Sequence, residues 1–269
     1  MSHESWEAKK RRPHRYDAAL QGHKLTIAYR GTDFAGWQVQ LGRRTVQQCV
    51  EEAVAKLWGE KISVQGSGRT DTGVHAHGQV ASFNARRLHN ATVLLRALNA
   101  NLPRDVRVVK CRLVSPAFHA RFDCKGKTYR YLIWNHIVQD PFTLDTHYHM
   151  PRDLDLAAMR KAARLLVGRH DFASFTSNPG YERETTIRTM KRATVVRDGH
   201  AIVFHFSADG FLYRMVRNLV GALVKVGKGK ITVTEFARIF RECRRSAAPE
   251  TAPACGLCLM NVRYGTVKN

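Results

Sequence analysis

The dipeptide Asp198-Gly199 constrains the fold of this chain more than any other feature. It separates two runs of alternating apolar residues, at 187–197 and 201–207, and Asp-Gly in that setting is typical of a two-residue β-hairpin. A hairpin requires antiparallel strands, so a purely parallel sheet is excluded. Further strand patterns lie at 24–30, 62–65, 80–83, 105–113, 128–134 and 257–262. We therefore predict an α+β fold with two mixed α/β domains and largely antiparallel sheets.

Helical spacing of apolar residues appears between these strands, which supports the same fold class. After Thr45, a potential N-cap, apolar residues recur with a period close to 3.6. Similar patterns occupy 93–98, 154–167, 212–226 and 236–240. We divide the chain into a basic arm at 1–22, which we expect to be disordered, an N-terminal domain at 23–114 and a C-terminal domain at 115–269.

The charge of the chain points to a polyanionic partner. Its 269 residues carry 44 Lys and Arg against 22 Asp and Glu, a formal net charge of +22. Repulsion on this scale opposes compactness, and nucleic acid would relieve it; a role in solubility alone is the alternative. No apolar run reaches the roughly 20 residues that span a bilayer. The six scattered cysteines fit reduced thiols, so we expect a cytoplasmic protein.

A glycine-rich segment, Gly66–Ala76, holds the best candidate for a reactive side chain. Its three glycines permit turns that other residues avoid, so the position of Asp71 is tightly specified. Asp71 could instead be a simple turn residue. An aspartic protease would need a second Asp-Thr-Gly triplet or a dimer that supplies it. A closed zinc site needs four ligands. Neither the His75 and His77 pair nor the single Cys-x-x-Cys motif at Cys255 and Cys258 has further ligands at the required spacing.

Six motifs, read together, resemble the tRNA pseudouridine synthase A family over roughly residues 24–264. They are Phe34-Ala-Gly-Trp-Gln38, Gly68-Arg-Thr-Asp-Thr-Gly-Val-His75, Asn101-Leu-Pro103, Phe118-His-Ala-Arg-Phe122, Lys127-Thr-Tyr-Arg-Tyr131 and Phe211-Leu-Tyr-Arg-Met-Val-Arg-Asn-Leu-Val-Gly221. Thr72 departs from the family, in which Ala is common at this position. The basic arm lies outside the family core.

The resemblance implies a role for each of four residues. Asp71 matches the family nucleophile, and Tyr129 matches the aromatic residue that packs against the target base. Arg217 matches the basic residue that pairs with the catalytic carboxylate. Arg69 matches the loop arginine that holds the RNA and helps to extrude the base. A cation beside Asp71 would favour its ionised, nucleophilic form, and the tyrosine hydroxyl could assist removal of the C5 proton.

The family likeness also implies a substrate and an assembly. The expected substrate is uridine at positions 38, 39 and 40 of the tRNA anticodon stem-loop, bound in a basic active-site cleft with Asp71 on its floor. The expected working unit is a homodimer without cofactor or metal. Attack at C1′ and attack at C6 of the base both stay open. Two alternatives remain, a synthase for other RNA uridines and a non-catalytic RNA-binding protein on the same scaffold.

Overall fold

The computed structural model describes residues 20–86, 89–178, 185–245 and 249–265. The strands are β1 (Leu20–Tyr29), β2 (Gln65–Gly66), β3 (His75–Arg86), β4 (Val106–Val114), β5 (Cys124–Trp134), β6 (Tyr148–His149), β7 (Gly168–Asp171), β8 (Ile187–Asp198), β9 (Ala201–Ala208) and β10 (Leu257–Tyr264). The helices are α1 (Val46–Trp58), α2 (Ala91–Asn101), α3 (Leu156–Arg164), α4 (Met215–Gly227) and α5 (Val233–Arg241). Two 3₁₀ turns span Pro141–Thr143 and Ala173–Phe175.

The described strands join in one sheet with the order β4-β1-β3-β10-β5-β9-β8-β7, and β2 and β6 pair at its sides with β3 and β5. Most pairs are antiparallel, so the predicted α+β fold is confirmed. The sheet runs unbroken through both halves of the chain because β10 inserts between β3 and β5. Its pairing with β3 is parallel and short, Cys258 with His75 and Leu259 with Ala76. The division at 114/115 stays a prediction.

The helices cover one face of this sheet. In the N-terminal half, Trp58 of α1 packs edge-on against Phe83, with 5.4 Å between the ring centroids. In the C-terminal half, Arg160 of α3 donates from Nε to the Val195 carbonyl of β8 at 2.9 Å. The apolar side chains on this face are almost completely buried, and they form the core with the helices. The opposite face is more polar; Lys110 and Arg112 are exposed there.

Three local features test the sequence patterns. The Asp198-Gly199 hairpin is confirmed, because β8 and β9 pair up to Asp198 and Ala201 and Gly199 has a φ of 57°. Thr45 precedes α1, but its side chain makes no capping hydrogen bond. β1 begins at Leu20, so the last three residues of the predicted arm at 1–22 belong to a strand. The remainder of the arm, residues 1–19, lies outside the described residues.

Candidate active site

The loop between β2 and β3 carries Asp71, and several backbone hydrogen bonds fix its shape. The Trp37 amide donates to the Thr70 carbonyl at 3.1 Å, and the Gly73 amide donates to the Phe34 carbonyl at 3.3 Å. The Val74 amide donates to the carbonyl of Asp71 itself at 3.1 Å. The turn before α1 therefore fixes the backbone of the loop through hydrogen bonds.

Buried side chains support the same loop from the sheet. Gln79 is fully buried on β3; its Oε1 accepts from Ser67 Oγ at 2.7 Å, and its Nε2 donates to the Gly68 carbonyl at 2.9 Å. The Tyr29 hydroxyl lies 2.8 Å from Thr70 Oγ1. These partners satisfy polar groups that would be costly to bury alone, so the loop is rigid on both sides of Arg69.

Gly36 is a position where only glycine allows the turn to approach the loop. Its φ is +92°, a conformation that side-chain-bearing residues rarely adopt. A Cβ at this position would also lie only 2.5 Å from the Thr70 carbonyl oxygen and 3.1 Å from the Asp71 carbonyl carbon. The absence of a side chain at Gly36 thus sets the distance between the turn and Asp71.

Asp71 forms an ion pair with Arg217 across the two halves of the chain. Arg217 Nη1 donates to Asp71 Oδ2 at 2.9 Å. The side chains are only 18% and 14% exposed, respectively, so solvent screens the pair weakly. Arg217 Nε also donates to the Ala252 carbonyl at 2.8 Å, which fixes the plane of the guanidinium group. The structure thereby brings together two residues that lie 146 positions apart in the sequence.

Tyr129 lies on β5, on the face covered by the helices, and is only 8% exposed. Its ring meets the Phe211 ring edge-on, with 5.0 Å between the centroids. Burial raises the pKa of the Tyr129 hydroxyl, and the nearby Tyr29 hydroxyl and Asp71 carboxylate raise it further. At neutral pH the side chain is therefore a neutral phenol with an apolar ring and a single proton to donate.

Arg69 is exposed on the loop, two residues before Asp71.

Sequence reasoning did not identify Lys127, Gln79 and Phe211 as site residues, although two of them lie within the quoted motifs. Lys127 donates from Nζ to the Ser67 carbonyl at 2.9 Å. The signal that could have identified Lys127 and Phe211 was their proximity to Tyr129 and Arg217 in the same motifs. Gln79 gave no signal, because it resembles any polar residue on a half-buried strand.

His75 has a structural place at the end of the loop. Its Nδ1 accepts a hydrogen bond from the Gly31 amide at 3.0 Å, so the proton of the neutral ring is on Nε2. Burial lowers the pKa of His75, which favours this neutral form. In the described ranges, no group of three or more His, Cys, Asp or Glu side chains is arranged to hold a metal ion. Nor does any helix among them have the length and apolar character to span a membrane.

The arrangement suits covalent chemistry on a planar ring. A carboxylate held by a fixed guanidinium group can act as a nucleophile, and an adjacent phenol can move a proton. The apolar edge of Phe211 and the ring of Tyr129 offer surfaces on which a base could stack. No other carboxylate is needed for such a reaction, unlike the chemistry of glycosidases and aspartic proteases, which depends on a pair.

Similarity to known proteins extends over most of the chain. The profile of a family described as "tRNA pseudouridine synthase" matches residues 25–123 and 162–265. A protein of Methylacidiphilum infernorum called tRNA pseudouridine synthase A is 51% identical over 246 residues, which cover 91% of this chain and 96% of that protein. Proteins of the same name from Solidesulfovibrio magneticus and Acetivibrio thermocellus are 46% and 43% identical, over 90% and 91% of this chain and 90% and 100% of their own lengths.

Proposed function

Because the chain belongs to the tRNA pseudouridine synthase family, we propose that it isomerises uridine to pseudouridine at positions 38, 39 and 40 of the tRNA anticodon stem-loop, with Asp71 as the nucleophile. The observation that carries this proposal is the Asp71–Arg217 ion pair with Tyr129 nearby. An RNA-binding protein without activity would gain nothing from a poorly exposed carboxylate held by a fixed guanidinium group, because a carboxylate repels phosphates.

In the proposed reaction, the bond between N1 and C1′ breaks and a bond between C5 and C1′ forms. The Asp71 carboxylate attacks either C1′, which holds the ribose while the detached uracil turns in the pocket, or C6, which holds the uracil itself. The bond to Asp71 breaks again when C5 displaces the carboxylate from C1′ in the first route, or when the carboxylate is eliminated from C6 in the second. C5 then loses its proton and N1 gains one, so the net reaction is an isomerisation. Tyr129 relays the C5 proton: its hydroxyl oxygen accepts that proton while the original hydroxyl proton passes through solvent to N1, which carries the negative charge after the N1–C1′ bond breaks. Arg217 keeps the carboxylate ionised and oriented.

The target base must leave its stack to reach Asp71, at a cost of a few kcal/mol. We assign the exposed Arg69 to this step, because its guanidinium group can hold the RNA backbone beside the extruded nucleotide. The net charge of +22 provides the phosphate contacts whose binding energy offsets the cost.

The Asp71→Asn variant tests the proposal. Release of tritium from RNA labelled at C5 of uridine should stop in this variant, while tRNA affinity stays within a few-fold of the wild-type value, since phosphate contacts dominate affinity. Substantial residual turnover would remove Asp71 from the role of nucleophile.

Specificity is tested on tRNA transcripts in which positions 38, 39 and 40 are changed to cytidine one at a time. Loss of one pseudouridine with each change supports the anticodon stem-loop assignment. Pseudouridine at other sites would indicate a synthase for other RNA uridines. Tight binding of every transcript without any tritium release by the wild-type protein would indicate the non-catalytic RNA-binding alternative.

We also propose that the working unit is a homodimer. Four large apolar side chains within eight residues are exposed: Ile137 (75%), Val138 (66%), Phe142 (93%) and Leu144 (57%). Clustered exposed apolar residues are typical of protein interfaces. Phe142→Asp should shift the mass measured by light scattering from dimer to monomer, whereas Leu41→Asp, at a fully exposed leucine outside this cluster, should leave it unchanged. A wild-type monomer would refute the proposal.

We propose that the protein works in the cytoplasm, where its proposed tRNA substrate is found. All six cysteines are free thiols, as a reducing compartment would keep them. Detection of the tagged protein in the cytoplasmic fraction with tRNA would support this assignment.

A further inference from the structure

Lys127 lies on β5, two residues before Tyr129 and on the same face of the sheet. Its side chain extends beneath the loop that carries Asp71, where Nζ donates to the Ser67 carbonyl at 2.9 Å. A Cβ at Gly68 would overlap the Lys127 ammonium group, so glycine at this position leaves the space that the cation fills. The ammonium group therefore lies directly against the backbone of the residue before Arg69.

The charge of Lys127 is unbalanced. Across the described part of the chain, no carboxylate lies within ion-pair distance of its Nζ. Burial lowers the pKa of Lys127; the nearby Cys124 opposes this by a smaller amount, and the positive charge of Arg121 adds the smallest effect, in the lowering direction. A desolvated cation is costly unless an anion is nearby.

The hydrogen bond that supports the loop does not explain why residue 127 carries a positive charge. A carbonyl oxygen needs only a neutral donor, and Gln79 already provides one to the neighbouring Gly68 carbonyl. An ammonium group has three N–H donors. In the described contacts Lys127 uses one of them, to the Ser67 carbonyl. An anion that arrives with the substrate would engage the others and offset the desolvation of Lys127.

We propose that Lys127 binds a backbone phosphate of the substrate RNA next to the extruded uridine, on the side of the loop that presents Gly68 and Arg69. This inference rests on the proposed function, since it requires an RNA strand at Asp71. It adds a substrate-binding residue outside the Asp71–Tyr129–Arg217 group.

The salt dependence of binding tests the proposal. Lys127→Gln removes the charge but keeps a donor for the Ser67 carbonyl, whereas Lys127→Arg keeps the charge. Lys56→Gln, at an exposed position of α1, is the matched control. The slope of log-affinity for tRNA against log-salt should fall by about 0.7–0.9 in Lys127→Gln and stay at the wild-type value in the other two variants. An unchanged slope in a folded Lys127→Gln protein overturns the proposal.

The second arm removes the charge from the RNA. Stem-loop substrates receive a single neutral methylphosphonate at each phosphate within two nucleotides of the target uridine. One position should weaken wild-type binding about tenfold but leave Lys127→Gln unaffected, because the same contact is already lost. Equal weakening of both proteins at every position overturns the proposal.

If Lys127→Gln does not fold, the wild-type scan decides. The proposal then fails when no single methylphosphonate near the target weakens binding. Pseudouridine formation by the wild-type protein on the unmodified stem-loop separates the two levels of inference. Activity with negative results at Lys127 would refute only the phosphate site, whereas no activity would refute the proposed function itself.

Discussion

Arg217 uses different nitrogens for different partners, and this division predicts how its variants behave. Nη1 holds Asp71, and Nε holds the carbonyl of Ala252, which precedes β10. Lysine could keep the positive charge near Asp71 but would lose the planar fork. Methionine could fill the space and fit α4 but would leave the carboxylate unpaired in a poorly solvated place.

We therefore expect Arg217→Lys to retain more activity than Arg217→Met. The Met variant should lose about 100-fold or more in single-turnover rate, on the order of 3 kcal/mol, and the Lys variant about tenfold. Single-turnover rates on a stem-loop substrate provide the measurement, with thermal unfolding as the control for folding. Equal losses in the two variants would mean that Arg217 acts through packing or RNA contact instead of its charge on Asp71.

Tyr129→Phe should separate the ring of Tyr129 from its hydroxyl. The ring keeps its edge-on contact with Phe211, so stability should change by less than about 1 kcal/mol. The rate should fall by roughly 10²–10⁴, the usual contribution of a proton-transfer group. A kinetic isotope effect with 5-deuterated uridine should appear in the variant, because loss of the C5 proton becomes rate-limiting. A normal rate without an isotope effect would limit Tyr129 to stacking.

Some residues of the site could be predicted from the sequence and others could not. Asp71, Tyr129 and Arg217 lie in recognisable motifs, and the structure places Asp71 and Arg217 in contact, although their roles stay proposals. Lys127 was within a motif, but its meaning depends on a contact with Ser67, 60 positions earlier. Local patterns carry no information on which carbonyl a lysine reaches after folding, nor on whether a carboxylate comes close to it.

The turn that precedes α1 and the loop that carries Asp71 act as one element, and Gly36 joins them. We expect Gly36→Ala to destabilise the protein by roughly 1–3 kcal/mol, because alanine is strained at a φ of +92° and would press on the Thr70 carbonyl. Urea denaturation measures this loss.

The same substitution should reduce the rate more than tRNA affinity, since it displaces Asp71 but removes no phosphate contact. Gly42→Ala is the matched control: its φ of +67° is also positive, but a Cβ there meets nothing within 4 Å. A loss of activity in Gly42→Ala as large as in Gly36→Ala would show that general strain explains the effect.

Elements were predictable where the signal was local. The β8–β9 hairpin followed from Asp198-Gly199, and the helical periods of α1 to α5 were visible in the sequence. The prediction that Thr45 caps α1 was wrong: its side chain is buried, and Oγ1 has no hydrogen-bond partner among the described residues. Tertiary packing at this position overrode the local preference for a cap. The insertion of β10 between β3 and β5 was not predictable, since strand order depends on contacts among distant segments.

The whole molecule should be sensitive to acid. Burial is the largest cause that lowers the pKa of His23, His75, His147 and His205. The unfolded chain, in which histidine titrates near about 6.5, therefore binds more protons than the folded one. The neutral, buried histidines contribute their full stabilisation above about pH 6.5. This contribution is lost as the pH falls below about 6.5 towards the lower pKa values that these histidines have in the folded protein. The free energy of unfolding, measured by urea denaturation, should decrease from pH 7 to pH 5.

His23→Phe provides the control for acid sensitivity. His23 is fully buried, stacks on Phe83 with 4.8 Å between the ring centroids, and neither of its nitrogens has a hydrogen-bond partner within the described ranges. Phenylalanine cannot bind a proton, so the variant should show a shallower fall of unfolding free energy between pH 6.5 and 5. An identical slope in the two proteins would mean that other groups cause the acid sensitivity.

The position of β10 has a consequence for the order in which the protein becomes active during synthesis. A ribosome makes the Asp71 loop and β3 first, then β5 with Tyr129, and only much later residues 257–264, which fill the gap between these two strands. Until that last strand leaves the exit tunnel, β3 and β5 lack their shared neighbour. The sheet that joins the Asp71 loop to Tyr129 is therefore completed only at the end of synthesis, and a chain that terminates before residue 257 lacks the strand that connects them.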